Sequence, residues 1–400
     1  MRIEPFKLER FFARHEFTAK HLLSASDCET LSLPELLDLA TPESFALWNH
    51  LSLSYTESQG HPLLRAEVAR LYQSVSPDDI LIAAPEEAIF LLILALLEPG
   101  DHAVVLTPAY QSLYQVALGA GCAVTRLDLS LETQGWRLDP DLLQRSLTPR
   151  TRLVVVNFPH NPTGFMPSHQ EFDTLVRIAR QRGLYLLGDE MYRFLEHDPA
   201  HRLPAVCDVY EKGISLSGLS KSFGLPGLRL GWLATRDASL LSRCQEIKDY
   251  TTICLSAPSE ILGIIALRAR DAILERNRSI VADNLAVAQR FFAEHSDRFT
   301  WIQPRGGSVA FPVWTGNGSV DDFCQRMLDE RGVLIVPGSL VDSPGNHFRI
   351  GLGRRSVPPA LEKCVSLVGP LYFGGSEKKG PYQADAFFTR AIGAGGPARR

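Results

Sequence analysis

The sequence predicts an α/β protein in which a large domain with a mostly parallel central sheet is joined to a smaller α+β domain. Between residues 60 and 275, short β-branched runs alternate with helical patterns, which is typical of crossover units around a parallel sheet. From about residue 275 to 372, short strand and helix patterns are mixed, which favours a smaller α+β unit. A length of 400 residues allows two or three folding units.

The predicted elements of the large domain follow one another as strand and helix. Seven segments have the composition of strands: 81–84, 102–106, 122–127, 152–158, 184–187, 213–216 and 231–234. Helical patterns such as 86–97 and 170–181 lie between them. Parallel sheets of this kind bind ligands at the carboxyl ends of their strands, so we expect functional residues directly after these segments.

The smaller domain is predicted from shorter patterns. These are a helix over about 283–295, strands at 299–303 and 309–313, a helix over 320–330, and strands near 333–336 and 347–350. The predicted domain limits give an N-terminal segment packed on the small domain, a large domain, a small domain and a tail, at 1–45, 46–275, 276–373 and 374–400. The tail is rich in glycine and has little apolar surface to bury, so we predict that it is flexible.

Composition and charge argue against several classes of protein. The 41 Lys and Arg residues are outnumbered by 45 Asp and Glu, and this net charge of −4 argues against nucleic-acid binding. The longest apolar run, 88–97, is about half of the ~20 residues that a membrane-spanning helix needs, so no membrane contact is expected. The charged start of the chain does not resemble a secretory signal. The seven cysteines are scattered without metal-ligand spacing, which predicts reduced thiols, no metal and a cytoplasmic protein.

An ordered series of polar residues comes after the predicted strands. It consists of Asn161-Pro-Thr-Gly164, Asp189 with Tyr192, the pair Ser220-Lys221, Arg229 and Arg349. Taken singly, each has an ordinary explanation as a turn, a helix cap or a solvated charge. In this order and spacing, the chain resembles the class I/II aminotransferases, a fold-type-I family of enzymes that use pyridoxal 5′-phosphate (PLP). The resemblance covers roughly residues 30 to 370, and residues 220–232 are its most specific stretch.

The resemblance implies PLP as the cofactor and assigns three catalytic residues. Lys221 matches the lysine that holds the PLP aldehyde as an imine and later moves a proton to and from the substrate Cα. A lysine desolvated beside a cationic cofactor has a lowered pKa, which frees its amine to react. Asp189 matches the carboxylate that keeps the pyridine nitrogen protonated, so that the ring can accept electrons. Tyr192 matches a residue that hydrogen-bonds the phenolic oxygen.

Further positions match residues that bind the cofactor in this family. Asn161 matches a second hydrogen-bond partner of the phenolic oxygen, and Tyr110 matches the aromatic residue that stacks on the ring. Arg229 matches the arginine that binds the phosphate with a planar fork of donors. Ser220, or its neighbour Ser217, is a candidate hydroxyl donor to the same phosphate.

The phosphate site departs from the family pattern at two positions. The helix that begins near Glu86 and Glu87 should offer backbone amides and the positive end of its dipole. Pro85, however, stands where the family usually has a residue with an N–H donor. Gly218 replaces a residue that often carries a hydroxyl group. The sequence therefore leaves open how the phosphate site is completed.

The substrate and subunit contacts are also implied by the resemblance. Arg349 matches the arginine that clamps the substrate α-carboxylate, with Asn161 as a second contact. Arg354 and Arg355 are close in sequence, but the Arg-Ile-Gly context favours Arg349. Tyr55 matches a tyrosine that reaches the cofactor phosphate of the neighbouring subunit, so we expect a homodimer with shared active sites. The other expected partners are an amino acid and a 2-oxo acid.

Three functions are open. An aminotransferase would pass an amino group from an amino acid to a 2-oxo acid. Residues 157–164 and 219–229 also resemble the capreomycidine synthases, PLP enzymes that cyclise a hydroxylated arginine, although Asp189-Glu-Met-Tyr192 keeps the ordinary aminotransferase arrangement. A non-catalytic PLP-binding regulator is opposed by the presence of Lys221, by the negative net charge and by the lack of a basic region ahead of the resemblance. The sequence favours transamination.

The sequence does not identify the side chain of the substrate. Candidate pocket walls are Trp48, Tyr55, Tyr110, Ser308 and the region 12–30. No charged residue is placed well enough by sequence alone to predict a preference.

Overall fold

The computed structural model describes residues 1–133 and 135–368, and the predicted tail, 374–400, lies outside these residues. The α-helices of this part are α1 (Lys7–His15), α2 (Leu33–Asp38), α3 (Pro42–Asn49), α4 (Pro62–Ala69), α5 (Pro85–Leu96), α6 (Ser112–Gly119), α7 (Pro140–Ser146), α8 (His169–Arg182), α9 (Val206–Val209), α10 (Ala238–Lys248), α11 (Ala257–Arg268), α12 (Arg270–Glu294), α13 (Val320–Arg331) and α14 (Val357–Val368). The β-strands are β1 (His21–Leu22), β2 (Ile80–Ala83), β3 (His102–Thr107), β4 (Ala123–Asp128), β5 (Ser130–Glu132), β6 (Gly135–Arg137), β7 (Thr151–Asn157), β8 (Tyr185–Asp189), β9 (Gly213–Gly218), β10 (Gly231–Ala234), β11 (Phe299–Thr300), β12 (Val309–Ala310), β13 (Val313–Trp314), β14 (Val333–Leu334), β15 (Val336–Pro337) and β16 (Phe348–Gly351).

A seven-stranded sheet with the order β2-β10-β9-β8-β7-β3-β4 forms the centre of the fold. The pairs β9–β8, β8–β7, β7–β3 and β3–β4 are parallel, whereas β10 is antiparallel to both of its neighbours. Every strand of this sheet except β10 therefore points the same way, and their carboxyl ends lie along one edge. The predicted α/β class with a mostly parallel central sheet is confirmed.

The central sheet is buried on both faces except at its edge strand β4, because side chains alternate along each strand and helices cover both sides. In β3, Ala103 and Val105 pack in one apolar cluster with α5, whereas Val104 and Leu106 pack in another with α8. Every residue of β2, β3 and β9 is buried. Parallel strands covered on both faces have continuous apolar runs, and these runs located the strands in the sequence.

The C-terminal part of the described chain contains short strands and helices around a separate apolar cluster. Its sheets are the antiparallel pair β11–β13 and the antiparallel order β12-β16-β15, while β14 pairs in parallel with β1 of the N-terminal segment. Helices α12, α13 and α14 contribute to the same cluster. The limit predicted at residue 275 lies inside α12, and the domain limits stay a prediction.

The prediction was wrong for several elements of this part. Helix α12 is 25 residues long, whereas only its second half was predicted, because charged residues on its exposed side hide the apolar stripe of the first half. The run predicted as one strand at 309–313 forms two, β12 and β13, and the run at 333–336 forms β14 and β15. Each short strand pairs with a different partner, which a single run of apolar residues does not reveal. No helix among the described residues has both the length and the apolar character to cross a membrane.

The N-terminal segment runs closely across β16. The Gly351 N–H donates a hydrogen bond to Leu23 O at 2.6 Å. A Cβ at Gly351 would overlap the backbone of Ala25, and one at Gly353 would overlap the backbone of Asp27. Glycine is required at both positions because only a backbone without Cβ allows this approach. The segment is thereby fixed against β16, and both elements carry residues of the cavity at the edge of the central sheet.

Helix α1 is tied to the central sheet through Asp342. The Asp342 carboxylate accepts hydrogen bonds from Lys7 Nζ, from Tyr114 Oη at 2.7 Å and from Arg126 Nη2 at 2.7 Å. Burial alone would raise the pKa of Asp342, but these hydrogen bonds outweigh it and lower the pKa to about 2. The side chain is therefore ionised throughout the physiological range, and it holds the start of α1 against α6 and β4.

Candidate active site

A cavity of about 420 Å³ lies at the carboxyl edge of the central sheet. It collects residues that directly follow β2, β3, β7, β8 and β9, because the parallel order brings these strand ends together. Nine side chains singled out in the sequence line it: Lys221, Asp189, Tyr192, Asn161, Tyr110, Arg229, Ser220, Glu86 and Arg349.

Lys221 lies in the turn after β9 and lines the cavity. Its Nζ donates a hydrogen bond to Ser26 Oγ at 2.8 Å. Burial lowers the pKa of the Lys221 amine, and the carboxylate of Asp27 offsets this effect only in part. A buried amine with a lowered pKa is more readily present in its neutral, nucleophilic form.

Asp189 is the last residue of β8, and only 7% of its surface is exposed. Its Oδ1 accepts a hydrogen bond from the Met191 N–H at 3.2 Å. Burial raises the pKa of Asp189 to about 7, even though this hydrogen bond favours the ionised form. A positive charge beside the carboxyl would restore its ionised form, so the site favours a cationic partner.

Arg349 belongs to β16, in the C-terminal part of the described chain. It is 1% exposed, and it lines the cavity. Its Nη1 donates to Asn161 Oδ1 at 3.1 Å, and its Nη2 donates to Ser24 O at 3.3 Å. Its Nε has no hydrogen-bond partner within residues 1–133 and 135–368. The Phe12 ring packs against the guanidinium, with 5.9 Å between Cζ and the ring centroid. A planar fork of donors held in this way suits a carboxylate.

The two neighbouring arginines are engaged elsewhere. Arg354 donates to both carboxylate oxygens of Asp27, at 3.2 and 2.7 Å. Arg355 is exposed, and its backbone N–H donates to Glu29 Oε2 at 2.7 Å. Of the three arginines, Arg349 is therefore the one with a buried guanidinium that does not already bind a carboxylate.

The two departures from the family pattern at the phosphate end are in contact with each other. A Cβ on Gly218 would lie 2.8 Å from Leu230 O and 3.3 Å from Pro85 Cγ. The proline ring and the adjacent backbone thus fill the space that a side chain at position 218 would need. Pro85 is the first residue of α5, where a helix tolerates proline because the N–H at that position has no intrahelical acceptor.

Ser220 and Arg229 offer donors at the same end of the cavity. The Ser220 hydroxyl is buried and has no hydrogen-bond partner in the described part of the chain, whereas Ser217 Oγ already donates to Glu190 O at 3.2 Å. Arg229 has a φ of +52°, a left-handed conformation that costs a non-glycine residue about 1 kcal/mol or more. Residues held in such conformations cluster at functional sites.

Part of the predicted wall at 12–30 lines the cavity, and the structure extends this wall to Glu9 in α1. Glu9, Phe12 and Glu16 share one face of α1 and its last turn, because their spacing follows the helical period, and all three line the cavity. Ser26 and Asp27, from the predicted wall at 12–30, line it as well. The spacing of the α1 residues was a usable signal, but two carboxylates on one helix face are ordinarily interpreted as a solvated face.

Two predicted residues do not line this cavity. The Tyr55 side chain is 85% exposed. The Glu87 side chain turns away, where its Oε1 accepts hydrogen bonds from the hydroxyls of Thr251 at 2.5 Å and Thr252 at 2.8 Å. Only the backbone of Glu87, in the first turn of α5, therefore remains available to the phosphate end. The candidate wall residues Trp48 and Ser308 do not line the cavity either.

Comparison with known proteins gives consistent matches over most of the chain. Residues 19–357 match the family described as aminotransferase class I and II. Capreomycidine synthase from Streptomyces vinaceus is 33% identical over 365 residues, which cover 90% of this chain and 92% of that protein. A PLP-dependent aminotransferase from Streptococcus suis has a TM-score of 0.85 at 31% identity, covering 91% of this chain and 97% of the other. The PLP-dependent cyclase OrfR has a TM-score of 0.83 at 31% identity, covering 92% and 99%.

The residues of the cavity fit PLP. Ser220 Oγ and Arg349 Nε are buried donors without a partner among the described residues, and they line the same cavity as the buried amine of Lys221 and the buried carboxyl of Asp189. An aldehyde, a pyridine nitrogen, a phosphate and a substrate carboxylate are the groups that such a set binds. Within the described residues, no cluster of His, Cys, Asp and Glu could hold a metal ion. The chain belongs to the class I and II aminotransferase family, and its cofactor is pyridoxal 5′-phosphate.

Proposed function

We propose that the chain is an aminotransferase, which moves an amino group between an amino acid and a 2-oxo acid, with Lys221 as its catalytic amine. The observation that carries the proposal is the single cavity shared by Lys221, Asp189 and Arg349. These three side chains supply an amine for the aldehyde, an anion for the ring nitrogen and a fork for the substrate carboxylate. Membership of a family that acts on amino acids and keto acids supports the same reaction.

Four side chains hold the aromatic ring in this proposal. Bound PLP supplies an aldehyde that reacts with amines and a ring that accepts the electron pair of a substrate Cα–H bond. Asp189 stabilises the positive ring nitrogen, because burial disfavours its ionised form and the positive charge of Lys221 offsets that effect only in part. Asn161 accepts from Arg349 through Oδ1, which leaves its Nδ2 to donate to the phenolic oxygen beside Tyr192. Tyr110 provides the stacking face.

Lys221 carries the proton in the reaction that we propose. Its Nζ is buried and has a lowered pKa, so the neutral amine can take the proton from the substrate Cα. The same amine would later donate that proton to the cofactor carbon to which the amino group is bound. Ser26 Oγ, at 2.8 Å from Nζ, orients the amine toward the cavity. Arg349 binds the α-carboxylate and thereby sets which substituent of Cα faces Lys221.

The phosphate is held by a set of donors that replaces the usual pattern. Arg229 supplies a charged fork, and Ser220 supplies the hydroxyl that Gly218 lacks. The backbone amides of Glu86 and Glu87 lie in the first turn of α5, where the helix dipole favours an anion. These donors make up for the N–H that is missing at the first position of the helix.

We further propose a homodimer with shared active sites. Several large apolar side chains are strongly exposed, with Leu53 at 84%, Tyr55 at 85% and Tyr250 at 92%. A partner subunit would remove this apolar surface from water. The loop after Tyr250 is hydrogen-bonded to Glu87, so this exposed surface lies beside the phosphate end of the cavity. Tyr55 of each subunit would then reach the phosphate of the other.

The cytoplasmic location is also part of the proposal. All seven cysteines lie among the described residues, none forms a disulfide, and six of them are buried. Unpaired cysteines are usual in the reducing cytoplasm and unusual in secreted proteins. The partners that we propose there are small molecules, an amino acid and a 2-oxo acid, together with a second copy of the chain.

A cyclase is the second candidate function. The similarity to capreomycidine synthase and to the cyclase OrfR favours it, and both comparisons cover at least 90% of this chain. The same residues would bind the cofactor and remove the Cα proton in either reaction, so the two reactions differ only in the steps after loss of that proton. The ordinary aminotransferase arrangement from Asp189 to Tyr192 and the similarity to the Streptococcus suis enzyme favour transamination.

Mixing the holoenzyme with one amino acid, without any 2-oxo acid, separates the two functions. Transamination should convert the bound cofactor to its amine form, with loss of the visible absorption band and release of one 2-oxo acid per site. Lys221→Ala should slow this half-reaction by at least about 100-fold, because it removes the acid–base group. A cyclic product, formed without 2-oxo acid and without the amine form, would contradict transamination and support the cyclase.

Hybrid dimers test whether the active sites are shared. When Lys221→Ala and Tyr55→Ala chains are combined, one site of each hybrid dimer has both side chains intact, so activity should recover to at most about one quarter of wild type. The matched control combines Lys221→Ala with Asp189→Ala, which belong to the same site and should not complement. Equal recovery in both mixtures, or a monomer in sedimentation, would contradict shared sites.

Asp189→Asn should change stability in opposite directions with and without PLP. Burial raises the pKa of Asp189 to about 7 in the folded chain, whereas an Asp in an unfolded chain has a pKa of about 4. The contribution of the protonated carboxyl to the free energy of unfolding is therefore fully present below about pH 4 and is lost as pH rises through about 7. At pH 8, the cofactor-free variant should therefore be more stable than the cofactor-free wild type by about 1 kcal/mol or more, and the gap should shrink toward pH 5. With PLP bound, the variant should be the less stable protein. Thermal unfolding of the wild type and the variant, each with and without PLP, measures the four stabilities. A change of stability of the same sign with and without PLP would contradict the role of Asp189.

A further inference from the structure

The wall formed by α1 lies at the substrate end of the cavity. Phe12 packs on the guanidinium of Arg349, the group that we assign to the substrate α-carboxylate. Glu9 and Glu16 flank Phe12 on the same helix face, and both line the cavity. The substrate side chain must leave Cα near this wall, because Arg349 fixes the carboxylate beside it.

The carboxylates of the cavity differ in whether they already have a partner. Asp27 is bound by both donors of Arg354. Glu9 accepts a hydrogen bond from Tyr110 Oη at 2.6 Å. Glu16 forms no side-chain hydrogen bond or ion pair with any residue in the described part of the chain. Of these three carboxylates on the N-terminal segment, Glu16 is the one left without a partner.

The surroundings of Glu16 make an unpaired carboxylate unfavourable. Burial raises the pKa of Glu16, and the negative charges of Asp27 and Glu9 raise it further, whereas the positive charges of Arg354 and Lys221 offset these effects only in part. A cation placed between these groups would relieve both effects. An acidic substrate side chain would instead be repelled by three carboxylates, two of which are not neutralised by an arginine.

Independent observations mark the same cavity as the place of a ligand. Arg349 Nε and Ser220 Oγ are buried donors that line it and have no partner among the residues that the structure describes. Buried polar groups are otherwise almost always hydrogen-bonded. Glu16 therefore faces a cavity whose other walls are also built to bind a polar molecule, and it differs in this from a carboxylate on an exposed helix.

We propose that Glu16 is a specificity-determining residue that receives a positively charged group, an ammonium or a guanidinium, on the side chain of the amino-acid substrate. This inference rests on the proposed function, because it takes Lys221 and Arg349 to bind the amino and carboxylate groups at Cα. The substrate class is then the basic amino acids. Glu9 supports the same charge from two helical turns away while it accepts the hydrogen bond of Tyr110 Oη.

Two pairs of amino acids that differ in charge and little in shape test the inference. Calorimetric titration of the holoenzyme, with absorbance recorded in parallel, compares L-arginine with L-citrulline and L-lysine with L-norleucine. The wild type should bind the charged member of each pair at least about tenfold more tightly, which is the size expected for one hydrogen bond to a charged group. Glu16→Gln should reduce this preference to about threefold or less.

Glu4→Gln is the matched control. It makes the same change of charge on the same segment, but Glu4 is exposed and does not line the cavity, so the preference should be unchanged. Melting temperatures of both variants check that each is folded, and Glu16→Lys, which reverses the charge, should bind L-citrulline better than L-arginine.

The outcomes separate this inference from the proposed function. Equal or tighter binding of the uncharged amino acids by the wild type, or an unchanged preference in Glu16→Gln, would overturn the role of Glu16 and leave the aminotransferase proposal standing. Preferential binding of L-arginine with no change in the cofactor absorbance would support the role of Glu16 and contradict the proposed reaction. Failure of the holoenzyme to bind either basic amino acid would overturn the inference.

Discussion

The burial of an amine and a carboxyl in one cavity, at the ends of neighbouring parallel strands, is the constraint on which the rest of the structure depends. Lys221 and Asp189 lie at the ends of β9 and β8, which pair in parallel, so their positions are set by the register of the sheet. Burial disfavours the charged form of each group, as the lowered pKa of Lys221 and the raised pKa of Asp189 indicate. A cofactor that offers an aldehyde to one and a positive nitrogen to the other offsets both costs.

The two ends of the cavity are built from different parts of the chain. The central sheet supplies the groups that we assign to the cofactor, whereas the N-terminal segment and β16 supply those that face the substrate. Gly351 and Gly353 permit the close contact between these two elements, and Asp342 fixes α1 against the sheet. Chemistry and substrate preference are thereby separated, so relatives that share the sheet can differ in the amino acid they use and in the reaction they catalyse.

The sequence was informative where local patterns decide the structure and silent where packing between distant segments decides it. The apolar runs located the strands of the central sheet, and the resemblance carried by the polar residues after them identified nine side chains that line one cavity. The contact between Pro85 and Gly218 was not predictable, because it joins the first residue of α5 to the last residue of β9, and these elements are far apart in sequence. The role that we propose for α1 was not predictable for the same reason. It depends on the position of Glu16 near Arg349, which lies more than three hundred residues later in the sequence.

Reduction of the holoenzyme with borohydride, with subsequent peptide mapping, tests the central claim most directly. The account predicts that the pyridoxyl group is trapped on a single peptide, at Lys221. Lys248 provides an internal comparison, because it is fully buried but donates its hydrogen bonds to the backbone oxygens of Ser58 and Ile253, outside the cavity. A label found at Lys248, or spread over surface lysines, would contradict the assignment of the cavity and everything that is derived from it.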